Sequence, residues 1–155
     1  TLDRTLNFTV VGTPAWLGTA FIGGCPPATT QAHKPSGWIA QVIMAERTKG
    51  VEKEPENRTG EFLPNETVHA VVAVKDAPPN SKFRAVFFTV DAGGSTICNV
   101  KIGETEQTLS GSGNLDFTVA PPDKWALGKY RVDIYVNGTL DHTANYVVVT
   151  QKQVH

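Results

Sequence analysis

Trp125-Ala-Leu-Gly128-Lys-Tyr130-Arg-Val132-Asp-Ile134-Tyr-Val136-Asn137-Gly138 joins a turn, an alternating strand and a hairpin signal in one short run. Tyr130, Val132, Ile134 and Val136 share one parity and Lys129, Arg131 and Asp133 the other, the pattern of a strand with one buried face. Asn137-Gly138 suits a type I′ turn, since both residues tolerate positive φ. The strand should therefore double back into Leu140, Ala144, Tyr146 and Val148 as an antiparallel partner.

Working outward, further strands are expected at Trp38 to Arg47, Val68 to Val74, Phe83 to Val90, Ile97 to Ile102 and Leu115 to Val119. With the hairpin these make seven. Phe83 to Val90 is apolar on both parities, as a central strand covered on two sides requires, or one with a bulge that shifts its phase. Asp76-Ala-Pro78-Pro79-Asn80 reads as a proline turn, Ser110-Gly-Ser-Gly113 as a glycine-rich loop, and Lys49 to Asn65 as a long exposed connection.

The chain has 155 residues, the size of one domain able to bury its own core. Its 14 basic and 15 acidic residues balance, which gives no reason to expect a nucleic-acid partner. Only 19 per cent of residues are charged, and Thr, Val, Gly, Pro and Asn are abundant, favouring strands and turns over helices.

Residues 1–37 read as an N-terminal extension and linker, 38–150 as the β domain and 151–155 as a tail. Cys25 has two readings. The segment 1–25 resembles a bacterial lipoprotein signal, with Phe21-Ile22-Gly23-Gly24 before the cysteine and Pro26-Pro27-Ala28-Thr29-Thr30 after it, which makes Cys25 a lipid anchor. Alternatively the extension carries a strand, Leu6-Asn-Phe8-Thr-Val10-Val11, and Cys25 is left to bridge Cys98, which otherwise reads as a small buried thiol. Both point outside the cytoplasm. No uninterrupted apolar run of membrane-spanning length occurs elsewhere.

Trp125-x-x-Gly128-x-Tyr130-x-Val132 resembles the start of the penultimate strand in immunoglobulin-like and fibronectin type III sandwiches. Phe62-Leu-Pro64-Asn-Glu-Thr-Val68 is similar to extracytoplasmic bacterial modules of this broad class. The resemblance covers about residues 38 to 150. It implies an all-β fold, an immunoglobulin-like antiparallel β-sandwich of about seven strands. It also implies that Tyr130 forms a tyrosine corner with Trp125 beneath it. The Cys–Trp–Cys arrangement of antibody domains is absent, so the likeness is to the general class.

Chemistry is sparse. Copper needs histidines and usually a methionine near a cysteine, and Cys98 is followed by neither. His33, His69, His142 and His155 lack zinc spacing; His69 should face solvent, and His142 the margin of the core. No Gly-x-Ser-x-Gly elbow is present, and the glycine runs lack the Lys and helix of a phosphate loop. Glu52, Glu54, Glu56, Glu104 and Glu106 read as solvated. No metal, cofactor or enzyme activity is expected.

The reading is an interaction or structural module of a cell-envelope or surface assembly, contacting a protein partner or a second copy through edge strands. The strand Phe8 to Val11 is a candidate for such addition. The alternative is a carbohydrate-binding accessory module that stacks a glycan on Trp16 and Trp38. Asn-x-Thr triplets open at Asn7, Asn57, Asn65 and Asn137 and matter in a host that glycosylates.

Overall fold

A computed structural model of the chain describes residues 25–26 and 32–151. Among these the regular structure is all β, in seven strands: β1 (Ile39–Lys49), β2 (Glu54–Arg58), β3 (Glu61–Phe62), β4 (Val68–Ala92), β5 (Lys101–Val119), β6 (Gly128–Val136) and β7 (Thr139–Val148). They form one hydrogen-bonded sheet, ordered β2-β1-β4-β6-β7-β3 with β5 joined to β4.

The sheet is curled because β4 changes neighbours along its length. Val74 and the residues before it pair with β1, and Phe83 to Ala92 pair with β6, while β5 follows β4 from Val68 to Phe88. The expected proline turn and glycine loop thus lie opposite each other inside two long strands. Register shifts flank Ala77, which faces Gly111, and Asp76 and Asn80 take positive φ. Pro78 and Pro79 have no N–H to give, and the ladder is bridged by side chains instead. The N–H groups of Asp76 and Asn80 donate to the hydroxyls of Ser112 (3.0 Å) and Ser110 (2.9 Å). The bend is paid out in bulges, and the ladder survives it.

The region 49–65 is also corrected. It holds β2 and β3, and Phe62 is fully buried. β3 runs parallel to β7, an exception to the antiparallel rule of the other pairs. One parity of each long strand fills the core: Val68, Ala70 and Val72; Phe83 and Phe87; Leu115 and Phe117; Tyr130, Val132 and Ile134. Phe83 to Val90 is central, between β5 and β6, with Val86 and Phe88 on its outer face. Asn137 and Gly138 both have positive φ, 49° and 87°, and close the β6–β7 hairpin.

Candidate functional site

The segment that decides the fold also builds the end of the molecule nearest β3. The Trp125 N–H donates to the Pro64 carbonyl and its indole Nε1–H to the Glu66 carbonyl, both at 2.8 Å, clamping the loop before β4. Tyr130 is buried and its hydroxyl donates to the Ala126 carbonyl at 2.6 Å. Gly128 lies against β4: a Cβ there would stand 2.2 Å from the Asp91 carbonyl oxygen, and its φ is 145°. Glycine is required for the close approach. At the far end of β6, Asn137 is more than a turn residue, since its Oδ1 accepts the Lys82 N–H at 2.9 Å.

Cys25 and Cys98 are joined in a disulfide, 73 residues apart in sequence. This corrects the buried-thiol reading of Cys98, and it corrects the lipid-anchor reading of Cys25, because a sulfur bonded to Cys98 cannot also carry an acyl-bearing thioether. The Cys25 N–H donates to Asp91 Oδ2 (2.9 Å) and the Ser95 hydroxyl to Asp91 Oδ1 (2.8 Å). The Ser95 hydroxyl first, then the Cys25 N–H, holds the Asp91 carboxyl below its ordinary range. Trp16 and the strand Phe8 to Val11 lie outside the described residues. Trp38 packs against the core, so it does not stand out as a stacking platform.

Two polar clusters were not foreseen. Residues 32–36, expected as linker, are bonded to β7: Lys34 N–H to the Leu140 carbonyl (2.8 Å), Ser36 N–H to Asp141 Oδ2 (2.7 Å), and His33 Nε2 to the Thr143 hydroxyl (2.7 Å). Thr143 donates in turn to Asp133 Oδ1 (2.8 Å), which Arg131 pairs at 3.3 Å, and His142 bonds the Asp141 carboxylate. Asp133 and Asp141 are buried, though alternation alone places Asp133 on a polar face. On the other half of the sheet, His69 stands on the face of β4 opposite the core and is half-buried against Asp116 (3.0 Å), which also accepts the Thr48 hydroxyl (2.9 Å). These groups satisfy one another, and among the described residues no three His, Cys, Asp or Glu side chains are placed to hold a metal ion.

The longest unpartnered feature is the edge of β5. All of its ladder bonds go to β4, so among the described residues one side of a 19-residue strand has no strand neighbour. The Gln107 amide donates to the Asp116 carbonyl (2.9 Å) across the curl of the strand. Beside it, the β1–β2 hairpin tip and the β5 bend enclose an open cleft of about 660 Å³ lined by Val51, Glu52, Gln107, Leu109 and Asn114. Outward on the adjacent half, Glu104 sits between Lys101 (2.9 Å) and Arg84 (3.2 Å), and the Lys101 ammonium holds its carboxyl below the ordinary range. The signal missed in the sequence is the alternation Glu104, Glu106, Thr108, Ser110, whose inward partners Gly103, Thr105 and Gln107 are too polar to mark a buried face.

No family model matches the chain, and no curated protein matches it. Among solved structures, the chain is similar over 70% of its length to an alkylpurine DNA glycosylase of Pseudomonas fluorescens, bound to DNA containing an abasic site analog (13% identity, TM-score 0.40). The chain spans 30% of that protein. It is also similar to the CARDB domain of a Pyrococcus furiosus protein in complex with di-metal ions (14% identity, TM-score 0.35), over 76% of this chain and 95% of that one. The expectation of no enzyme activity is corrected here: the first-named of these proteins is an enzyme, and a likeness at this level assigns this chain no activity.

Proposed function

We propose that the chain is an immunoglobulin-like β-sandwich module working outside the cytoplasm, within a cell-envelope or surface assembly. It accepts an extended segment of a protein partner along β5. The edge of β5, free among the described residues, carries this reading, because a strand paired on one side presents backbone N–H and C=O groups for another. The sandwich is supported by the division of β4 between β1 and β6, with one core filled from both halves. The Cys25–Cys98 bridge supports an oxidising compartment.

The test uses neighbouring substitutions. Along a strand, consecutive N–H groups point to opposite sides, so one of Thr105 and Glu106 points into β4 and the other outward. Of Thr105→Pro and Glu106→Pro, the variant that keeps native thermal stability is expected to lose the partner captured by crosslinking in the native source. Retained capture by that variant counts against strand addition. Crosslinking to a second copy instead would identify self-association as the use of the edge.

A further inference from the structure

Half of the asparagines in this chain open an Asn-x-Thr triplet: Asn7, Asn57, Asn65 and Asn137 do, and Asn80, Asn99, Asn114 and Asn145 do not. Roughly one residue in seven is Ser or Thr, so chance would supply about one such triplet. Asn7 lies outside the described residues. The other three are exposed.

Their placement is selective. Asn57 is on β2, the edge strand at the opposite side of β1 and β4 from β5, and its Nδ2 reaches Glu46 at 3.2 Å. Asn65 follows β3, the other outer edge, in the loop whose Pro64 and Glu66 carbonyls are both held by Trp125. The backbone is clamped on either side of it while its own side chain is exposed. Asn137 lies exposed at the β6–β7 turn, where Oδ1 accepts the Lys82 N–H and, among the described residues, the amide nitrogen makes no hydrogen bond. No such triplet falls on β5, although Asn114 is there.

We infer that Asn57, Asn65 and Asn137 are N-glycosylation sites, and that carbohydrate on the β2 and β3 edges leaves β5 as the open one. In the reaction each Nδ2 forms a C–N bond to the anomeric carbon of a lipid-phosphate-linked oligosaccharide. The C–O bond to the lipid phosphate breaks, the amide proton leaves with that phosphate to solvent, and nothing is oxidised or reduced. The choice of edge rests on the strand-addition reading, whereas the modification itself does not.

Glycopeptide mass spectrometry on the chain from its native source tests it. Peptides covering Asn57, Asn65 and Asn137 are each expected to carry a glycan, with Asn114 bare. Thr67→Ala and Thr139→Ala should each remove one glycan mass while leaving the asparagine and its contacts in place. Because the Thr59 hydroxyl accepts the Glu61 N–H at 2.9 Å, Asn57→Gln is the second variant beside Thr59→Ala. Unmodified asparagine at any of the three positions overturns the inference. Partner capture through β5 should survive all these variants, so loss of glycans and loss of strand addition are separately visible.

Discussion

Two stacked tyrosines separate what a buried hydroxyl contributes from what a buried ring contributes. Tyr130 and Tyr146 have ring centroids 5.3 Å apart, and Phe62 meets Tyr146 edge-on at 5.5 Å. Burial raises both phenol pKa values, Tyr146 the more, with Tyr130 adding to the effect. The Tyr130 hydroxyl, however, satisfies the Ala126 carbonyl, while the Tyr146 hydroxyl is buried with no hydrogen-bond partner among the described residues. Tyr130→Phe is therefore expected to cost about 1–2 kcal/mol, the loss of a bond plus an orphaned carbonyl. Tyr146→Phe removes a desolvated group that gains nothing, and should be neutral or stabilising by up to about 1 kcal/mol. Urea unfolding midpoints of the two variants check this. A larger loss for Tyr146→Phe than for Tyr130→Phe would contradict the assignment of roles.

At the scale of elements, the legible parts are those where one face is apolar and the turn chemistry is local. The β6–β7 hairpin follows from Tyr130, Val132, Ile134 and Asn137-Gly138 because each choice is made within a few residues. The bends of β4 and β5 do not, since Asp76 to Asn80 and Ser110 to Gly113 read separately as turns, and only their pairing keeps both strands intact. β3 is two residues long and Phe62 owes its burial to β7, a contact distant in sequence. The contacts of Cys25 are just as nonlocal, and they make the β4 end pH-dependent. Asp91 has a folded pKa held below its unfolded value of about 3.9. Its contribution is thus fully present above that unfolded value and is lost as pH falls through the lower folded one. Asp91→Asn should flatten this part of the acid limb in a stability–pH profile, and an unchanged profile would show that Asp91 is not held by Ser95 and Cys25.

For the whole molecule, the disulfide and the seven-strand sheet are separate sources of stability. The core residues pack without help from Cys25, which is half-buried at the outside of the Asp91 turn, and residues 32–36 have their own bonds to β7. What the bridge adds is a constraint on the unfolded chain, closing a loop across 73 residues. Chain-entropy arguments put such a loop at roughly 4 kcal/mol, an upper figure where the released end relaxes. Reduction, or the double substitution Cys25→Ser with Cys98→Ser, should lower the urea midpoint and leave a single cooperative transition, because the sheet remains one ladder with one core. Two transitions after reduction would mean that the bridge holds together halves that fold apart. An unchanged midpoint would mean that the cysteines are not joined in solution, and would return Cys98 to the buried-thiol reading and Cys25 to the lipid-anchor reading that the disulfide sets aside.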